Sequence, residues 1–187
     1  MALEVPLGLN AAARSDPFDR IYEAFFHPVC RWLLAMGIAE ADLDDLAQEV
    51  FLVVQRKLAG FVEGNQAGWI YRIAANLARN HRRRSWLRRI FLGRDQSEEG
   101  EHISSRAAGP MELLEQKEVQ QLVYQVLDGM STKRRTVLVL VDVEGYSSEE
   151  IAGWEGVPDS TVRSRLFHAR REFRAAWQKL EKVRDLR

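Results

Sequence analysis

The stretch from Ser147 to Arg171 constrains the fold more than any other part of the chain. Ser147 or Ser148 is placed to cap a short helix through Ile151 and Trp154, and Gly156-Val157-Pro158 makes a tight turn. A last helix rich in arginine then runs from Asp159 or Ser160 to near Arg184. A short capped helix, a glycine turn and a basic helix form the helix-turn-helix pattern. In that motif the first helix sets the angle of the second, whose N-terminal part enters a major groove. The side chains that read bases must be exposed, polar and on one face. Ser160, Thr161, Arg163, Ser164 and His168 meet that condition, whereas Val162, Leu166 and Phe173 point inward. Arg163 has the reach for a guanine edge, a contact worth roughly 1–3 kcal/mol of discrimination. Arg165, Arg170, Arg171 and Arg174 are better placed for phosphates, which makes binding salt-dependent. Phe167 suits either the core or a thymine methyl group.

Elsewhere the apolar residues recur at helical spacing, and no strand-like alternation occurs. Phe18, Ile21, Tyr22, Phe25 and Phe26 form one stripe, which Val29, Trp32, Leu33 and Met36 continue past Pro28. A helix from about Ala41 to Leu58 carries Leu43, Leu46, Val50 and Val53 or Val54 inward, with Asp45, Gln48, Glu49 and Leu52 on another face. Glycines and Asn65 mark a loop, and a third helix runs from near Gln66 to about Arg84. Its stripe is Trp69, Ile70, Ile73 and Leu77; its far side is a basic, amide-rich ridge of Arg72, Asn76, Arg79 or Asn80, and Arg83. Arginines without acids then give way to Asp95, Glu98, Glu99 and Glu101, in a stretch with frequent Gly and Ser. Helical spacing resumes near Met111 with a helix ending near Gly129, and Ser131 opens the next, stopped at Gly145. The expectation is an all-α chain of two small helical domains joined by a flexible linker, the second ending in the helix-turn-helix. The boundaries are a tail at 1–16, a first domain at 17–92, a linker at 93–110 and a second domain at 111–187.

Lys plus Arg and Asp plus Glu each number 27, so the net charge is zero and only its placement is informative. The lone Cys30 excludes a disulfide framework, and His27, His81, His102 and His168 lack metal-ligand spacing. No nucleophile with a base and no phosphate-cradling glycine loop is present, so the reading is not an enzyme and needs no cofactor. Without a secretory leader or a membrane-length apolar run, a cytoplasmic protein with no membrane insertion of its own is expected.

Three segments resemble a known family. Val141-Asp142-Val143-Glu144-Gly145-Tyr146-Ser147, running to Thr161-Val162-Arg163-Ser164-Arg165-Leu166, is similar to the fourth conserved region of sigma factors. Asp42-Leu43-Asp44-Asp45-Leu46-Ala47-Gln48-Glu49-Val50-Phe51 and Trp69-Ile70-Tyr71-Arg72-Ile73-Ala74-Ala75-Asn76-Leu77-Ala78 are similar to the second. Their order, with no third domain between, resembles the extracytoplasmic-function group. The resemblance implies an alternative sigma factor that binds bacterial core RNA polymerase, directs it to promoter DNA and is held by an anti-sigma factor. It places Asp45, Gln48, Glu49 and Phe51 against polymerase. It places Arg72, Asn76, Arg79, Asn80 and Arg83 on the −10 element, with a base flipped beside the loop Phe61 to Gly68. It places Ser160, Thr161, Arg163, Ser164, Arg165, Phe167, His168 and Arg171 on the −35 element. The linker would thread toward the polymerase cleft. Val62 and Glu63 stand where basic residues are common, Glu155 where an apolar one is, and His168 replaces a frequent Arg. A sigma-like mimic that sequesters an anti-sigma factor without touching DNA is the alternative, and an ordinary helix-turn-helix regulator would leave Asp42 to Asn80 unexplained.

Overall fold

Asp16 starts the first helix by accepting the Phe18 amide at 3.0 Å, with Pro17 in the first turn where its missing N–H costs nothing. This computed structural model describes residues 16–62, 64–91 and 122–184, all helix or short connection, with no strand among them. Helix α1, Pro17–Ala35, passes through Pro28 without ending. The two stripes read on either side of that proline therefore belong to one helix.

Helix α2, Glu40–Lys57, has acids in its first turn and Arg56 and Lys57 in its last, both favourable to the helix dipole. A single 3₁₀ turn, Leu58–Gly60, leads to α3, Gln66–Phe91, which runs beyond the expected Arg84. The Asn65 side chain accepts the Gly68 amide at 2.7 Å and caps α3. Val29, Trp32 and Leu33 of α1, Val50 and Val54 of α2, and Ile70 of α3 are fully buried together and make the core of this first lobe.

In the second lobe residues 122–128 are helical (α4), followed by α5, Thr132–Leu138. Helix α5 continues into a π turn, Val139–Val143, in which the Glu144 amide reaches back to Val139. Gly145 follows with φ +78°, where a side chain would be strained. Helix α6, Ser148–Glu155, begins in a capping box: Ser147 Oγ accepts the Glu150 amide while Glu150 accepts the Ser147 amide. It ends at Gly156, φ +67°. Helix α7, Asp159–Arg184, follows, and Val162, Leu166 and Ala169 pack with Ile151, Val137 and Leu140.

The lobes share one apolar core. Helices α1 and α3 pack on α5, the π turn and α6. Across the lobes Trp32 meets Tyr146 and Tyr71 meets Trp154, with ring centroids 6.2 and 5.4 Å apart. The C-terminus of α1 is closed by second-lobe side chains. The Ala35 carbonyl accepts from Arg135 Nε at 2.9 Å and Thr136 Oγ1 at 3.2 Å. Arg82 of α3 donates to the neighbouring Met36 carbonyl at 3.0 Å. Arg135 is buried and also pairs with Asp128 at 2.7 Å. Burial pushes its guanidinium below its usual value, and Asp128 pulls the other way. The expected tail and linker, and the first turns of the helix expected from Met111, lie outside the described residues apart from Asp16.

Replacing Arg135 by Met removes these bonds and leaves Asp128 without its arginine. The loss of one partner of a buried pair should lower unfolding free energy by about 3 kcal/mol, read as a lower urea midpoint.

Candidate nucleic-acid and polymerase interface

Three exposed faces on three helices hold the residues singled out in the sequence. On α2, Asp45, Gln48 and Glu49 are exposed. Phe51 is not: it is 3% exposed and lies edge-on to Tyr22, with ring centroids 4.8 Å apart. Its burial gives it a packing role instead of a docking one. The reason is helical phase, because Phe51 shares the inner stripe with Ala47 and Val54, four residues before and three after. The residue in phase with Asp45, Gln48 and Glu49 is Leu52, which is 58% exposed. An exposed leucine beside acids and an amide is a candidate docking anchor. Its i+7 spacing from Asp45 is the signal that finds it.

On α3, Arg72, Asn76, Arg79, Asn80 and Arg83 are all exposed on one ridge, set there by Ile70, Ile73, Ala74 and Ala78 buried behind. Four of them (Arg72, Asn76, Arg79 and Arg83) line a cleft of about 1630 Å³ between the lobes, with Lys133 and Arg165 on the opposite wall. Trp86, on the same cleft, is 55% exposed. Its place in a run of arginines hid it. The loop before α3 presents Val62, 84% exposed, while Phe61 turns back onto Trp69 at 4.6 Å. Glu63 lies outside the described residues.

On α7, Ser160, Arg163, Ser164, Phe167, His168 and Arg171 are exposed, and Thr161 and Arg165 are half-buried. Phe167, which the sequence left open between core and surface, is 64% exposed. Arg163 is gripped by two carboxylates: its Nη2 meets Glu149 at 2.5 Å and its Nε meets Asp159 at 2.7 Å. Glu149 chiefly, then Asp159, holds the guanidinium above its usual value. Both acids engage one edge, which leaves Nη1 outside both pairs. Arg170 forms a fork–fork pair with Asp142 at 2.6 and 3.1 Å, and Arg165 meets Glu155 at 2.5 Å. Sequence reading missed these acids, because their partners are set by the turn between α6 and α7 and by the π turn.

The residues 21–88 match the family model for sigma-70 region 2, and 120–173 match that for sigma-70 region 4. The RNA polymerase sigma-H factor of Pseudomonas aeruginosa is 31% identical over 87% of each chain. The chain belongs to the extracytoplasmic-function sigma factors. The sigma-E factor of Escherichia coli strain K12, of that same group, is 31% identical over 82% of each chain. Members of this family act in transcription initiation as regulatory subunits, not as enzymes. The fold is shared with the sigma factor RpoE crystallised with the anti-sigma factor NepR from Bartonella quintana: TM-score 0.64, 20% identity, over 86% of this chain and 96% of that one. In this sigma factor the first lobe is region 2 and the second region 4. No helix among the described residues is long and apolar enough to cross a membrane.

The lone thiol sits on α1, which carries none of the three faces. Cys30 is half-buried, and burial, then Asp44, raise its pKa above the usual thiol value. A raised pKa means less thiolate at any pH below it. At about pH 8 Cys30 should therefore react with a disulfide reagent more slowly in the native protein than after urea unfolding.

Proposed function

We propose that this sigma factor binds core RNA polymerase through the α2 face of region 2 and directs it to promoters, reading the −10 element with α3 and the −35 element with α7. The observation that carries the reading is the ridge on α3. Five exposed residues, all arginine or asparagine and with no carboxylate among them, follow one another along a helix whose other side is core. Guanidinium groups supply attraction for a phosphate backbone, and asparagine amides both donate to and accept from a base edge. A solvated face chosen only for solubility would mix both signs of charge.

The faces divide the labour by chemistry. Leu52 gives α2 an apolar centre ringed by Asp45, Gln48 and Glu49, the arrangement of a protein-docking patch. Arg163, held at the start of α7, is aimed as a base reader, with Phe167 beside it for a methyl contact. Arg171 and Arg174 flank them toward the phosphates. An anti-sigma factor is the expected inhibitor, in line with the partner named for the RpoE structure.

The test is transcription in vitro with sigma-free core polymerase and fragmented host DNA, reading RNA 5′ ends. Discrete starts that share spaced −35 and −10 elements are expected. No starts above the core-only background, from folded protein free of inhibitor, would overturn the reading. Asp45→Lys with Glu49→Lys should abolish polymerase binding, and Leu52→Ala should weaken it by about 1–2 kcal/mol. Arg163→Ala should leave polymerase binding intact while costing roughly 1–3 kcal/mol at a single −35 position, checked by base-by-base substitution of the promoter.

A further inference from the structure

Arg163 is fixed by two groups that belong to different helices. Glu149 lies in the first turn of α6 and Asp159 in the first turn of α7. Glu149 Oε1 accepts from Nη2 at 2.5 Å, and Asp159 Oδ2 meets Nε at 2.7 Å. The frame behind them is set by local rules. The Ser147–Glu150 capping box holds the first turn of α6, and Gly156 in its left-handed conformation sets the start of α7. Nε and the adjacent Nη2 proton form one edge of the guanidinium. The end of the group keeps Nη1 and the second Nη2 proton, two parallel donors of the kind that meets O6 and N7 of guanine.

Ordinary reasons do not account for the two acids. Arg163 and Glu149 are both well exposed, and exposed ion pairs add little to stability. Capping of α6 falls to Glu150, so Glu149 is not needed for it. Asp159 keeps its other oxygen, Oδ1, buried with no donor among the described residues, which is unfavourable. Carboxylates on a face that meets DNA also repel phosphates.

The acids are distributed unevenly. Arg165 and Arg170 each meet one, from Glu155 and Asp142. Arg171 and Arg174 meet none among the described residues, and Arg163 meets two. A loose arginine loses rotamer freedom when it binds, and it can swing to the nearest phosphate, which every sequence offers. Two fixed acceptors on one edge oppose both.

We infer that Glu149 and Asp159 are positioning residues for Arg163, holding its fork in one orientation so that it recognises one base pair instead of the nearest phosphate. Acids placed there lower affinity for DNA of any sequence and raise discrimination at a single position. The inference rests on the −35 reading of α7, and Arg163→Ala tests that reading separately.

The system is holoenzyme assembled from the full-length protein and core polymerase, with a promoter found by the 5′-end mapping above. Affinity is measured for that promoter, for the same promoter substituted at each −35 position, and for an unrelated duplex of equal length. Arg163→Ala first identifies the base pair at which discrimination disappears. Glu149→Gln combined with Asp159→Asn removes two charges and keeps both shapes. It should lower the preference at that base pair by roughly fivefold, the lower end of what a bidentate contact supplies. Preferences at the other −35 positions should stay, and binding to the unrelated duplex should hold or rise. Added to Arg163→Ala, the same two substitutions should change no preference further. A loss spread evenly over all −35 positions is the signature of a distorted helix and overturns the positioning role, as does an unchanged preference. If Arg163→Ala alters no position, the −35 reading of Arg163 falls and the inference falls with it. A second measurement needs no DNA. Nitrogen-15 relaxation of the Arg163 Nε–H in the full-length protein, its resonance assigned with Arg163→Lys, should report a rigid bond that the paired substitutions loosen. A mobile Nε–H in the parent overturns the inference directly.

Discussion

The last carbonyl of α1 is the point on which the arrangement of the chain depends. A helix end leaves acceptors without partners, and burying one unpaired is costly. Here Ala35 is supplied from 100 residues away by Arg135 and, next to it, by Thr136. Arg82 supplies Met36. Region 4 therefore completes a helix of region 2, and α5 cannot leave without exposing that end to water again. Around this fixed point the four aromatic rings of the junction find their places, two from each lobe. Helix α7 is then held by packing on α5 and α6, with Arg134 and Glu172 paired at 3.0 Å.

The functional faces are products of that packing. Each is what remains of a helix once its other side has been buried. Ile70, Ile73, Ala74 and Ala78 leave the arginines and asparagines of α3 in a row, and Val162, Leu166 and Ala169 leave Arg163, Phe167 and Arg171 in another. Carboxylates then adjust the arginines individually. Arg163, Arg165 and Arg170 each have an acid from another element, so their side chains hold fewer conformations than free surface arginines do. All of these pairs except Arg165–Glu155 are well exposed, so salt screens them.

Much of this was legible in the sequence because it is local. Helical periodicity, Ser147 with Glu150 three residues on, and Gly156 at a turn specify α6 and α7 by short-range rules, and the structure has both the capping box and the left-handed glycine. The α3 ridge follows from one stripe and its complement. What the sequence did not disclose is long-range or a matter of phase. Leu52 already falls on the outer face with Asp45, but Phe51 matches a motif there and one residue of helical rotation puts it inside. Glu155 stood out as a departure from an apolar position, yet nothing local points to Tyr71, 84 residues away. Arg135 read as one basic residue among several near Ser131, and only the fold turns it into a buried cap for α1. The π turn leaves no mark in composition at all.

That turn separates two properties of the second lobe. A π turn holds one residue more than the α-helix it interrupts, and one residue corresponds to about 100° of helical rotation. The π turn therefore adds a backbone contribution, ahead of Gly145, to an orientation that the buried Val162, Leu166 and Ala169 of α7 also hold. The exposed residues Ser160, Arg163, Ser164, Phe167, His168 and Arg171 can change while the direction of the helix stays the same. The exposed face of α7 can drift by substitution in a lineage of such proteins, whereas a change in the phase set by the π turn would take an insertion or deletion.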